Sequence, residues 1–202
     1  MGCAGTKMHR RIYISVPDQK LMLFQEIPSE TQRNKKVLRF LANYPVSTSK
    51  YGVGSRDSSY ATPLGKHRVA KKIGQGAAIG AKFKDRKPTG EIVPIDAPGR
   101  DPIVTRILWL DGLEAYNRNS FARYIYIHGT PEERNIGRPS SYGCIRMRSR
   151  DVVNLYNNIN INDLVDIQNR PFSSKAYRYR EPSLSAQAMS PLPIFEEFEL
   201  FQ

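Results

Sequence analysis

A mainly β, single-domain fold is what this chain of 202 residues predicts, on three observations. The length suffices for one domain with a sizeable core. Short runs of β-branched and aromatic residues recur between glycine and proline breaks, as strands do between turns. Helical spacing is convincing in one place only. No apolar run approaches the roughly 20 residues of a spanning helix, so the folded part is expected to be soluble.

Taken in order along the chain, the alternation Lys66-His67-Arg68 places His67 at a solvated strand position. Residues 74 to 80, GQGAAIG, lack both the G-x-G-x-x-G spacing and a P-loop lysine, and read as a flexible loop rather than a nucleotide cradle. Glycine, proline and lysine abound between Lys71 and Arg100. This segment is expected to act as a mobile lid whose residues 74 to 88 are dispensable for folding. Ile103 to Leu110 reads as a core strand, and Tyr124-Ile125-Tyr126-Ile127 as a buried strand ending at His128. The helix starts with Ser149 as N-cap before Asp151 and continues through Val152, Val153, Leu155, Tyr156 and Ile159. After Arg170 serine, proline and alanine prevail before the closing Phe195 to Phe201 run. Such a tail either stays disordered or docks its aromatics on the basic body, where it could block a site.

The formal net charge of +12 attracts polyanions in general. Basic runs such as Arg33 to Lys36 and Lys82 to Lys87 give salt-sensitive attraction, but no helix-turn-helix, zinc-finger or RNP-like pattern is present to read bases. A nucleic-acid partner is therefore not expected; carboxylate-rich polymers and anionic surfaces fit the charge equally well.

The segment from His128 to Cys144, HGTPEERNIGRPSSYGC, carries the chemistry. Cysteine becomes a strong nucleophile on losing its proton, provided a base or a positive field favours the thiolate. Of the three histidines, His9 lies in a basic N-terminal stretch and His67 on the solvated strand, which leaves His128, at a rigid strand end, as the base. Gly143 clears the approach to Cys144, and backbone N–H groups near Tyr142, Gly143 and Cys144 are candidates for an oxyanion hole. Arg146 is a candidate for holding a substrate carboxylate or the loop itself. Ser141 is a candidate for hydrogen bonds to loop or substrate. One cysteine and one histidine cannot close a four-ligand zinc site, and neither metal nor cofactor is expected.

The pattern His128-Gly129-Thr130, Gly137, Ser141-x-Gly143-Cys144-Ile145-Arg146-Met147 closely resembles the signature of L,D-transpeptidases with the YkuD-type catalytic domain, the cysteine enzymes that cross-link bacterial peptidoglycan. Ile12 to Val16 followed by Gln19 to Phe24 is similar to the family's opening hairpin. Tyr44 to Ser49 and Thr62 to Gly65 are similar to its next landmarks, and Asp163 to Ile167 to its closing strand. The resemblance implies a β-sandwich with one or two short helices: a catalytic domain over 11–170, an N-terminal arm over 1–10 and a C-terminal extension over 171–202. It implies attack by Cys144 on a peptidoglycan stem peptide, release of the terminal D-alanine and a thioester resolved by an amine. His128 would be the base, steered by the Gly129 carbonyl. Resolution by water would instead give an L,D-carboxypeptidase or murein endopeptidase, and a decayed site a peptidoglycan-binding module. Carbapenem inhibitors and a periplasm-facing envelope location follow from the same resemblance. Most members carry histidine where this chain has Tyr142, and tyrosine, with a reference pKa of about 10, is a poor base at neutral pH; the base role therefore falls on His128 alone.

Met1-Gly2-Cys3-Ala4-Gly5 has no apolar h-region and so no secretory signal is expected in this chain. Gly2-Cys3-Ala4-Gly5 matches the surroundings of a lipidated lipoprotein cysteine, which makes Cys3 a candidate membrane anchor. A Cys3 to Cys144 disulfide would consume the nucleophile, so both thiols are expected to be free.

Overall fold

The computed structural model describes residues 9–30, 35–99, 101–173, 175 and 193–201; Cys3 and the Arg33-Asn34 half of the basic Arg33 to Lys36 run lie outside them. Hydrophobic alternation sets the first element. In β1 (Arg10–Ser15) and β2 (Lys20–Pro28), Ile12, Ile14, Leu21 and Leu23 enter one apolar cluster while Tyr13, Met22 and Phe24 enter another, because successive side chains point to opposite faces. Both faces of this hairpin are thus covered. At its turn Gln19 takes φ +48°, and its buried amide donates to the Val16 carbonyl and Thr48 Oγ1 while accepting from the Thr48 N–H. Those bonds fasten the segment after β3 (Lys36–Pro45) to the hairpin.

Beyond it come β4 (Gly65–Ile73), β5 (Ala81–Lys84), β6 (Lys87–Ile92), β7 (Ile103–Gly112), β8 (Tyr126–Gly129), β9 (Ile145–Met147), α1 (Ser149–Asn158), β10 (Leu164–Gln168) and the short β11 (Ile194–Phe195). The strands form one hydrogen-bonded network in the order β11-β3-β2-β1-β10-β4-β7-β5-β6, with β8 joined to β7 and β9 to β8. The expected mainly β architecture with a short helix is what the chain adopts. β10 lies parallel to β1 and antiparallel to β4, so the family's closing strand sits in the middle of the sheet. α1 lays Val152, Leu155 and Tyr156 on a core shared with Leu108, Leu110, Ile127, Ile145 and Met147. Arg148 rather than Ser149 is its N-cap. Ser149 is already helical: its N–H donates to Glu133 Oε1 at 2.8 Å and its hydroxyl meets Thr105 Oγ1 at 2.9 Å. A carboxylate at that end also suits the helix dipole. No helix among the described residues is long and apolar enough to cross a membrane.

Three further expectations need correction, and of the two alternatives for the tail its described part takes the packed one. His67 is fully buried, its ring nitrogens bonded to the Gly65 carbonyl and Ser120 Oγ; Lys66 and Arg68 take the outward positions, so period-two alternation turns His67 inward. Burial lowers its pKa to about 4, against the opposing Gly65 bond. Tyr124 is exposed with φ +58°, so the strand before His128 begins two residues later, at Tyr126. Residues 74 to 88 contain no dispensable flap, because β5 pairs with β7 at Val104 and Ile103, and Phe83 is buried beside Ile107 and Trp109. The described part of the tail is packed: β11 pairs with β3, and Phe172, Phe195, Leu200 and Phe201 close over Tyr13, Phe24 and Phe40.

That aromatic cluster shares no residue with the one that touches Cys144, so its loss should read out in stability alone. Phe195→Ala is expected to lower the unfolding free energy by about 3 kcal/mol, the usual scale for emptying a buried aromatic position. Urea denaturation measures this, and the rate of Cys144 alkylation at fixed pH should not change.

Candidate active site

The loop that carries the thiol is clamped before its chemistry is considered. Ser47 and Arg146 exchange two backbone hydrogen bonds of 2.9 Å, the Thr48 carbonyl accepts from the N–H groups of Ser140 and Ser141, and the Lys50 N–H donates to the Ser141 carbonyl. From the other side, buried Thr62 donates to the Gly143 carbonyl at 3.1 Å. Within the loop, Ser141 is buried; its hydroxyl donates to the Cys144 carbonyl at 2.6 Å and accepts from the Gly143 N–H at 3.3 Å. Ser141 therefore shapes the loop and has no hydroxyl to spare for a substrate. Gly143 has φ +116°, a backbone state that a side chain would strain.

β8 and β9 pair in parallel, with Ile127 beside Ile145, His128 beside Arg146 and Gly129 beside Met147. Continued by one residue, this register sets Cys144 next to Tyr126. Tyr126 and His128 share one face of β8 while Ile127 enters the core on the other, so the thiol, one residue before β9, and the imidazole on β8 lie on the same side. Gly129 has no room for a side chain: a Cβ there would lie 2.6 Å from the Val104 carbonyl oxygen. Opposite it, β7 bulges between Val104 and Ile107, with Thr105 at φ +71°. Bulges of this kind re-aim side chains beside functional sites.

Cys144 carries a free thiol. Its Sγ donates to the Tyr124 carbonyl at 3.3 Å and accepts from the Tyr126 N–H at 3.4 Å. His128 Nδ1 lies 2.9 Å from the Gly129 carbonyl; a carbonyl only accepts, so Nδ1 holds the proton and Nε2 keeps its lone pair. The structure thus joins the three residues singled out for catalysis in one place. It does not join the thiol to the imidazole by a hydrogen bond. Burial pushes the Cys144 thiol up to about 11, against the Tyr126 N–H and the fields of Arg146 and Arg123. Burial likewise lowers His128 to about 4, with Arg146 adding to the effect and the Gly129 bond opposing it. Both groups are therefore uncharged at neutral pH, and the thiol is not ionised at rest.

Arg146 is nearly buried between two carboxylates, 2.8 Å from Asp101 and 3.3 Å from Glu132. Thr130 in turn donates to Asp101. These partners occupy the guanidinium, so Arg146 holds the loop and supplies a field; the substrate carboxylate considered for it would have to displace one of them. Tyr142 stands exposed, its phenol accepting from Lys50 Nζ at 3.1 Å and its ring against Tyr51 and Tyr60. On that side a cavity of ≈ 730 Å³ is lined by Lys50, Asp101, Glu132, Ser140, Tyr142 and Arg146 among others. Arg123, which pattern did not single out, donates to the carbonyls of Gly54 and Ala61 and to Ser59 Oγ, and its charge favours the Cys144 thiolate. Only its place in the fold marks it, since nothing in the Phe121-Ala122-Arg123 stretch suggests chemistry.

Residues 9–167 match the model of the L,D-transpeptidase catalytic domain, YkuD. The chain belongs to that family. No curated protein matches it significantly. Solved structures that resemble this L,D-transpeptidase domain include an L,D-transpeptidase from Mycobacterium smegmatis, at 12% identity and TM-score 0.47 over 80% of this chain and 59% of that one. L,D-transpeptidase 3 from Mycobacterium tuberculosis, solved with a faropenem-derived adduct, gives 17% and 0.46 over 80% and 60%. Bd1075 from Bdellovibrio bacteriovorus gives 16% and 0.48 over 79% and 48%. The chain thus spans about three fifths or less of the length of these structures.

The neutral resting pair makes a testable statement about pH. Iodoacetamide reacts with the thiolate, so its rate at Cys144 should climb about tenfold per pH unit from 6 to 9, with no inflection near 6.5. A plateau at neutral pH would instead reveal a preformed thiolate and imidazolium.

Proposed function

We propose that this domain is an L,D-transpeptidase acting on peptidoglycan stem peptides at the periplasmic face of a bacterial envelope. Residues 11–170 are its catalytic unit, 1–10 an arm and 171–202 an extension. The observation that carries the proposal is the placing of an imidazole with an available Nε2 on β8 and a free thiol on the loop residue just before its parallel neighbour β9, in a domain of this family.

In the proposed reaction Cys144 Sγ attacks the carbonyl carbon of the bond before the terminal D-alanine. The thiol proton passes to His128 Nε2 as the carbon–sulfur bond forms, and negative charge gathers on the carbonyl oxygen. A fully formed ion pair before attack is far uphill with the thiol near 11 and the imidazole near 4, so proton transfer accompanies attack, as general base catalysis permits. The oxyanion is met by the N–H groups of Tyr142 and Cys144, the Gly143 N–H being engaged by Ser141. The intermediate collapses by breaking the carbon–nitrogen bond, and His128 returns its proton to the departing D-alanine amine. An amine of a second stem then attacks the thioester, His128 removes its proton, and the thiol is regenerated with a new peptide bond. A carbapenem would acylate the same sulfur through its strained lactam carbonyl. Lipidation of Cys3 is proposed as the means of attachment to a membrane.

Incubation with tetrapeptide muropeptides followed by mass spectrometry tests the proposal. Cross-linked dimers, formed with loss of one D-alanine per bond, are expected, together with a fall of at least about a thousandfold in Cys144→Ala. Shortened stems without dimers would identify a hydrolase, and unchanged muropeptides a binding module.

A further inference from the structure

Distinct from the cavity beside Tyr142, a second of ≈ 330 Å³ is lined by Phe83, Asp85, Arg86, Ile103, Tyr124 and Tyr126. Two of these residues are the ones that clasp the sulfur: Tyr124 through its carbonyl and Tyr126 through its N–H. The cavity therefore shares two residues with the backbone that holds the sulfur. Its one cation is built in. Arg86 sits at the tip of the β5–β6 hairpin, where Asp85 and Arg86 take φ +49° and +67°, and it projects back over the rings of Tyr124 and Trp109 at 5.0 and 5.3 Å. The Tyr126 phenol lies near enough to interact with its charge. Among the described residues it forms no salt bridge, although Asp85 precedes it in the chain.

Arg146 and Arg123, whose charges act on Cys144, differ from Arg86 in this respect. Arg146 is held by Asp101 and Glu132, and Arg123 by two carbonyls and a hydroxyl. Arg86 alone is oriented by aromatic faces, which fix a guanidinium without neutralising it, and so keeps edges free for a bidentate carboxylate.

We propose that Arg86 is a specificity-determining residue, binding a carboxylate of the acyl donor next to the bond that Cys144 attacks. Resting on the function proposed above, this identifies the carboxylate as that of the departing D-residue, one residue from the attacked carbonyl. The donor then enters from the hairpin side, and the cavity beside Tyr142 is left for the acceptor.

The test compares tetrapeptide stems ending in a free carboxylate with the same stems ending in a carboxamide, using the whole chain. The wild type should favour the acid in kcat/KM. In Arg86→Gln, which keeps an amide donor and removes the charge, that preference should fall about tenfold or more, the scale of one charge-assisted hydrogen bond pair. Arg86→Lys should restore part of it, mainly through KM. A preference unchanged in Arg86→Gln overturns the proposal. A second measurement needs no peptide turnover: the ratio of iodoacetate to iodoacetamide rates at Cys144 should drop by at least about threefold in Arg86→Gln, as expected for one partly screened charge at short range. If stems are not converted but this ratio drops, Arg86 is an anion site and the transpeptidase reading fails. If the ratio holds, Arg86 binds no anion there.

Discussion

The parallel pairing of β8 with β9 is the constraint on which the site depends. It sets His128 beside Arg146, and Cys144 arrives at the mouth of β9 already directed toward Tyr126. Parallel neighbours require a crossover of a dozen or more residues, usually a helix packed on the sheet. Here the crossover is 130–144, a loop containing only a short 3-10 turn, Glu133–Asn135, and its backbone needs partners from elsewhere. The segment 46–50 supplies them on one side, Thr62 on another and Arg146 with its two carboxylates underneath. Each hydrogen bond contributes only about 1 kcal/mol net, yet together they leave the loop one conformation.

The clamp reaches back to the first turn of the chain. Thr48 receives two loop N–H groups on its carbonyl, while its own N–H and hydroxyl are held by Gln19. A glutamine in the opening hairpin thus helps to fix the catalytic loop more than a hundred residues away. This explains how a nucleophile on irregular backbone can be as well placed as one on a strand.

The core strands, the helix and the family signature that holds Cys144 and His128 were legible because each rests on local pattern: β-branched runs, 3.6-residue spacing and a short motif. What escaped depends on partners distant in sequence. Tyr126 marks a strand, but nothing nearby says that Arg86 will come near its phenol from the next hairpin. Gln19 and Arg123 look like ordinary polar turn residues until the carbonyls they hold are seen. His67 differs for another reason: its charged neighbours suggest solvent, whereas period-two alternation makes them a sign of its burial. The tail's aromatics declared their appetite for a groove, but the groove consists of Tyr13, Phe24 and Phe40, residues of the opposite sheet face from Ile12 and Ile14.

Electrostatics give the site its final character. Burial favours the neutral thiol and imidazole, although the charges of Arg146 and Arg123 favour the thiolate. Both guanidinium groups are held by protein partners and shape the field; the proposed binding falls to Arg86. Such an arrangement separates reactivity from recognition. Oxidation and stray alkylation follow thiolate character, so a thiol held near 11 is sheltered in the absence of a partner. In the proposed reaction charge need form only when a carbonyl is in place to accept the electron pair, and then it gathers on oxygen rather than on sulfur. The hydrogen-bond donors that matter for rate are consequently those facing the oxygen, and the fixed loop, more than the acidity of Cys144, determines whether they meet it.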